Sequence, residues 1–400
     1  MGPRPPAGRT HTLRPATGAL TAADRLERSG HRVLRLHKAD PVAFGFQPPG
    51  SLVLDVHRAL ADSSGYGHPQ GLATARRAIA QHYVSAGVPR VDIDDVHVGN
   101  GASELILMAA QAVLEDGDEV LVPLPGHPLW TGAVTMAGAT PVPYRCDEQA
   151  GWQPDLADLE RRITARTKGL LVINPNNPTG AVYGRAVLRD LAEVARRHGL
   201  ILFTDEVHDK ILFDGATHTP LATLADGLVC LTFNSLSKAY RVGGYRAGWL
   251  LVTGPPRRTK PFAEALGALA ALRGCPNVPA QHAIAPALGG RDATAMTLPG
   301  GRLAEQREFA WRVLNDVGMR CVKPRGGLYV FAGHRKAMSR ITDDRRLMLD
   351  LLHQENILVA PGSDFGWPTP NRLRFVTLAD SDTLTDAIVR TSRFLEEYRQ

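Results

Sequence analysis

Cysteine is scarce in this 400-residue chain, and its four copies follow no pattern. Cys146, Cys230, Cys275 and Cys321 form no Cys-x-x-Cys pair and have no histidine partner at metal-ligand spacing. A disulfide scaffold and a structural zinc site are thereby excluded, no metal is expected, and reduced thiols in a cytoplasmic protein are the expectation. No apolar run is long enough to span a bilayer, so no membrane partner is expected. The first twenty residues carry three arginines and no acid, but their proline and glycine content opposes an amphipathic transit helix, and no apolar signal core follows. Pro6 stands where myristoylation of a Met-Gly start needs Ser or Thr. These residues are expected to form a mobile or partner-embracing arm. An excess of one charge is also missing. The net charge of +6 arises with acids and bases interspersed, which suits anionic small ligands and gives no case for nucleic acid. Internal repeats are absent.

What is present describes a soluble globular chain, 44% hydrophobic and 22% charged, long enough for two domains. From about residue 66 to 296, apolar runs alternate with helical patterns. "EVLVPLP" (119–125), "GLLVINP" (169–175), "LILFTDE" (200–206) and "LVCLTF" (228–233) predict buried strands, and "RAVLRDLAEVARRHG" (185–199) predicts a helix stopped by glycine. Strand and helix in alternation predict an α/β fold with a mostly parallel sheet and helices on both faces. Three divisions follow: 1–55 as an arm and part of a small domain, 56–296 as a large domain, and 297–400 as the rest of a smaller α/β domain.

In such sheets the ligand lies beyond the carboxyl ends of the strands. "NPNNPTG", "TDEVHDK" and "NSLSK" each close one. The stretch "NSLSKAYRVGGYRAGW" (234–249) concentrates anion ligands, Ser235, Ser237, Lys238 and Arg246, among three glycines. "NGASEL" sets Gly101, Ala102 and Ser103 at a predicted helix start, where backbone N–H groups suit a phosphate, although Ser103 could equally be a plain cap.

Taken in register, "SLSKAYRVGGYRAG", "NPNNPTG", "TDEVHDKI" and "LRFVTL" resemble the motifs of fold-type I pyridoxal 5'-phosphate enzymes of the class I/II aminotransferases. "CPNVPAQHAIAPALGG" and "DEVHDKILFD" bring the chain nearest to the bacterial alanine (glutamate–pyruvate) subgroup. The resemblance implies that Lys238 bonds the cofactor aldehyde and shuttles a proton, while Asp205 faces the ring nitrogen. It implies a phosphate cup of Gly101, Ala102, Ser103, Ser235, Ser237 and Arg246, with Tyr66 of "GYGHPQG" reaching the site of a neighbouring subunit in a homodimer. Asn177 would bond the phenolic oxygen, and Arg374 would clamp the α-carboxylate of an amino acid or 2-oxo acid substrate.

Three positions depart from that pattern. His208 stands where a tyrosine commonly meets the phenolic oxygen, His127 where an aromatic ring stacks on the pyridine, and Ala39-Asp40 of "KADP" where a Gly-Asn-Pro approaches the substrate. An imidazole can still stack or hydrogen-bond at either position, but its charge can change near neutral pH. Either this is drift, or the scaffold serves β-elimination from a cysteine conjugate or decarboxylation-coupled oxidative deamination. A non-catalytic amino-acid sensor is disfavoured, since no helix-turn-helix precedes residue 30 and Lys238 is retained.

Overall fold

Leu170–Ile173, Ile201–Asp205 and Cys230–Ser235 are buried along their whole length, as strands covered on both faces must be. In the computed structural model, which describes residues 17–290, 293–334 and 338–400, they form the centre of an eight-stranded sheet. Its spatial order is Val96–Asn100, Ala247–Thr253, Cys230–Ser235, Ile201–Asp205, Thr167–Ile173, Glu119–Leu124, Thr140–Asp147 and Gln153–Pro154. Neighbours from Cys230–Ser235 to Thr140–Asp147 run parallel; Ala247–Thr253 and Gln153–Pro154 pair antiparallel with theirs. Side chains alternate between two cores. Leu171, Phe203, Leu231 and Phe233 pack with Leu105, Trp130 and Leu266 on one face, and Leu170, Val172 and Leu202 with Leu188 and Leu191 on the other.

The helix Arg185–His198 shows how local chemistry sets this arrangement. Leu188, Leu191, Ala192, Val194 and Ala195 are buried on one side, and three basic residues occupy the last turn, where the dipole favours them. Gly199 then takes the left-handed conformation, φ 65°, and ends it.

The second sheet is antiparallel, ordered Arg320–Cys321, Tyr329–Gly333, Leu373–Val376 and Ala360–Pro361. The helices Arg302–Asp316, Asp344–Glu355 and Ser381–Glu397 accompany it. Leu34–Arg35 pairs in parallel with Ile357–Leu358, and the helix Thr17–Arg28 packs on Asp344–Glu355, so early residues complete this unit. The division expected at residue 55 falls inside a helix, Gly50–Arg58, which packs against Ile284–Gly289 of the larger unit. Residues 1–16, most of the expected N-terminal arm, lie outside the described residues. Among those described, no helix is long and apolar enough to cross a membrane, and no group of three or more His, Cys, Asp or Glu is placed to hold a metal.

Candidate active site

A cavity of about 530 Å³ opens at the carboxyl ends of the central strands. Ala39, Ala102, Ser103, His127, Asn177, Asp205, His208, Ser235, Ser237, Lys238 and Arg246 line it, so the structure gathers side chains spread over more than two hundred positions. Arg374 lines an adjoining cavity of about 1010 Å³ that shares His127, Lys238 and Tyr329. Tyr66 lies outside both; it is 98% exposed on a surface loop.

The strand Ile201–Asp205 delivers Asp205 at its last residue, and Asp205 is buried. Its Oδ2 accepts from Trp130 Nε1 at 2.8 Å, and its Oδ1 from the Val207 N–H at 3.3 Å. Burial pushes its carboxyl above the usual range, while Trp130, the Val207 N–H and Lys238 pull it back. Beyond Ile173, Asn174 and Asn176 spend their side chains inside the loop, on the Tyr183 N–H at 2.8 Å and the Thr179 hydroxyl at 2.8 Å. Asn177 is left to face the cavity, and its Oδ1 accepts from Arg374 Nη1 at 2.9 Å.

Lys238 follows the strand Cys230–Ser235, and its Nζ donates to the Ala39 carbonyl at 2.6 Å. Burial first, then the charge of Arg374, bring its amine down to about 8, with Asp40 opposing. An amine so adjusted is a better nucleophile at neutral pH than an exposed lysine. Arg374 is buried in the strand Leu373–Val376. Its guanidinium lies 4.4 Å above the Tyr329 ring and 4.6 Å above Phe365, and it also donates to the His37 carbonyl. Its Nε has no partner.

The phosphate-sized end depends on two close approaches. Gly101 sits at φ +84°, and a Cβ there would fall 2.1 Å from Arg246 Nη2. A Cβ on Gly248 would fall 2.4 Å from the Ala102 nitrogen. Arg246 is itself held by the carbonyls of Gly243 at 2.9 Å and Asn100 at 3.3 Å. The helix Ala102–Val113 has Gly101 as its N-cap and no side-chain cap, which leaves exposed Ser103 free of the capping role. Ser235 Oγ accepts from the Ser237 N–H at 3.3 Å. Free helix N–H groups, two serines and an arginine suit a phosphate.

His208 is buried, edge-on to Tyr329 with 5.5 Å between centroids, and its Nε2 has no partner. His127 is half-buried and caps its helix by accepting from the Leu129 N–H at 3.3 Å. Burial and neighbouring cations hold both imidazoles near a pKa of about 3. The change of charge that an imidazole can undergo near neutral pH is thus moved well below it at both positions.

A phosphorylated pyridine aldehyde fits this donor set. An amine, a buried carboxylate, a cradle that a Cβ would fill and an unpartnered imidazole nitrogen each meet one of its functional groups. Sequence reasoning passed over Trp130, Tyr329, His37 and Phe365. Trp130 lay within "PLPGHPLW", and a buried indole needing an acceptor is the signal that could have found it; Tyr329 gave none, because its role depends on packing between the two sheets.

Residues 51–390 match the family "Aminotransferase class I and II". The chain is similar to alanine aminotransferase of Mycobacterium tuberculosis, 54% identical over 94% of this chain and 89% of that one. It is also similar to glutamate-pyruvate aminotransferase AlaA of Escherichia coli, 48% identical over 95% of each. A crystal structure of an aminotransferase from Escherichia coli superposes with a TM-score of 0.96 at 46% identity, over the whole of both chains.

Proposed function

We propose, on the premise that this chain belongs to the class I and II aminotransferase family, that it exchanges the amino group between alanine or glutamate and a 2-oxo acid. It is a pyridoxal-phosphate-dependent aminotransferase. The alanine assignment is carried to it from the names of relatives 54% and 48% identical. Elimination and oxidative decarboxylation, the alternatives raised by His127, His208 and Ala39, are not favoured by that kinship.

The observation that carries the reading is the convergence of Lys238, Asp205, Asn177 and His208 on one cavity beside Arg374. Bound there, the cofactor supplies an aldehyde to receive the amino group and a ring to take up electrons from the substrate α-carbon. Lys238 Nζ, the amine that burial brings within reach of neutral pH, would hold the cofactor through its aldehyde carbon and would move the proton at the substrate α-carbon. Asp205, held by the Trp130 indole N–H, would keep a proton on the cofactor's ring nitrogen. Asn177 and His208 would bond the cofactor's phenolic oxygen, and His127 would pack against its ring. Gly101, Ala102, Ser103, Ser235, Ser237 and Arg246 hold the phosphate with Tyr66 of the partner subunit. Arg374 pairs with the substrate carboxylate, whose neighbour across the site is Ala39; Asn177 supports the pairing by orienting Arg374.

The assembly is read as a homodimer with shared sites, and the location as cytoplasmic. Among the described residues, the small domain is read as 17–49 with those from 297 on, the first break moved to spare the helix Gly50–Arg58. Purified protein incubated with alanine and 2-oxoglutarate should yield pyruvate and glutamate in equal amounts by mass spectrometry. Thiol release from cysteine conjugates, or carbon dioxide release, without consumption of a 2-oxo acid would overturn the assignment.

A further inference from the structure

The Tyr66 loop and the phosphate cradle are separated in sequence and joined in space by hydrogen bonds that centre on one ion pair. Glu104, third residue of the helix Ala102–Val113, folds back on the helix start. Its Oε2 accepts from the Asn100 N–H at 2.7 Å and its Oε1 from the Asn100 side-chain amide at 2.9 Å. The same Oε2 accepts from Arg273 Nη1 at 2.6 Å. Arg273 ends the helix Pro256–Arg273, and its side chain is 14% exposed. Its Nη2 donates to the Pro69 carbonyl at 2.6 Å, three residues beyond Tyr66, and to the Val98 carbonyl at 3.4 Å.

The residues after Arg273 repeat the connection. The Asn277 N–H donates to Asn100 Oδ1 at 2.8 Å, the Gly67 N–H to Cys275 Sγ at 3.4 Å, and the Leu72 N–H to Gln281 Oε1 at 2.6 Å. Since the Asn100 carbonyl also accepts from Arg246, the hydrogen bonds run without a break from the cradle to the loop. Glu104 alone would satisfy a helix N-terminus through its backbone bond and the dipole. Arg273 adds the second connection, and only a planar fork can serve a carboxylate with one nitrogen and a carbonyl with the other. Neither residue lines the cavity.

We infer that Glu104 and Arg273 are a positioning pair that sets the phosphate cradle of one subunit and, together with it, the Tyr66 loop offered to the partner subunit. Each site is then shaped from both chains, with the ion pair as the charged link in a set of hydrogen bonds between cradle and loop. The inference rests on the reading of Tyr66 as serving the neighbouring site of a homodimer.

Mixed dimers separate the two ends. One subunit carries Lys238→Ala and cannot fix the cofactor; the other keeps Lys238. The readout is the cofactor concentration at which half of Lys238 is captured by borohydride, from intact-chain mass spectrometry. Arg273→Met in the Lys238→Ala subunit alters only the loop offered to the intact site. It should weaken capture about tenfold, as loss of a charge-assisted hydrogen bond does, and match Tyr66→Phe in the same place. Arg273→Met in the Lys238-bearing subunit should weaken capture through the cradle, and Arg273→Lys should rescue neither placement. Glu104→Gln, placed in the same two ways, gives the same reading should Arg273→Met not fold. If Tyr66→Phe weakens capture across the interface and Arg273→Met does not, the coupling is overturned while the Tyr66 reading stands. If Tyr66→Phe has no effect, or the protein is a monomer by size exclusion, the Tyr66 reading has failed and the inference fails with it.

Discussion

The phosphate end of the active site and its ring end differ in how far water reaches their charges. Arg246 and Ser103 are exposed, and Gly101 and Gly248 leave room for the Arg246 guanidinium and the Ala102 backbone. At the ring end, burial moves every titratable group toward neutrality: His127 and His208 to about 3, Lys238 to about 8, Asp205 upward and Arg374 downward. Charge on the open side is thus screened by water, while on the closed side the charges of Asp205 and Arg374 act on desolvated ground and the imidazoles act by shape and hydrogen-bond direction. A neutral imidazole can then stand in for a neutral phenol, which is why His127 and His208 are compatible with ordinary transamination.

The sharpest break of this comparison is Lys238→Ala, which removes the amine that both ends converge on. Turnover should fall by about 10⁴-fold, the upper range for a lost acid–base group, and the visible absorbance of the protein-bound cofactor should change in position. Retained turnover, or borohydride capture on a different lysine, would reassign the site. Arg374→Lys comes next. It keeps a cation between Tyr329 and Phe365 but loses the fork that reaches Asn177 and a carboxylate together. A fall of about 10²-fold in kcat/KM is expected from charge-assisted hydrogen bonds lost on desolvated ground. Amines lacking a carboxylate should lose the least. If they lose as much as amino acids, the clamp lies elsewhere.

The open end was the more legible one in sequence. Ser235, Ser237, Arg246 and the glycines form one stretch with Lys238 of the ring end, so their spacing alone suggested an anion site, and the fold places them together. The parallel strands were legible for the same reason, since burial on both faces leaves an unbroken apolar run. The closed end was readable only by resemblance. Trp130 reaches Asp205 across 75 positions, and Arg374 reaches Asn177 across 197, distances over which periodicity carries no information. Charge states were beyond sequence altogether: His208 looks like a neutral-pH switch until the depth of its burial is known.

That burial has a measurable consequence for folding. In the unfolded chain the imidazoles of His37, His97, His127 and His208 return toward 6.5, from about 4, 4, 3 and 3 in the folded state, and those of His82 and His218, also lowered by burial, move the same way. Below 6.5 the unfolded state binds more protons than the folded one, so stability rises with pH up to that point and is lost on acidification. Glu206 acts oppositely. Burial raises it to about 8, so its contribution is present at low pH and declines as pH rises from 4.5 toward 8. Urea unfolding of the cofactor-free protein should show a maximum near neutrality and a loss on the order of 2 kcal/mol by about one pH unit below the histidine midpoint. A flat profile between about pH 5 and 7 would mean that these imidazoles are not buried neutral.

The smallest effect is expected from His208→Tyr, and its smallness is the test. If His208 were an ionisable neighbour of the cofactor, a phenol would remove a titration and change the pH dependence of the visible spectrum. With its pKa held at about 3 by burial beside Lys238, His127 and Arg374, it has no titration to remove at neutral pH. The ring lies edge-on to Tyr329, and its unpartnered Nε2 is a hydrogen-bonding group that a tyrosine hydroxyl can replace. Alanine turnover should therefore change by less than about threefold, roughly the 0.6 kcal/mol of a modest repacking. The spectral midpoint should stay in place, and labelled His208 ring protons in the wild type should not shift between about pH 5.5 and 8. A displaced spectral midpoint together with a titrating His208 signal would show that water enters the closed end, and the contrast between the two ends would fail there.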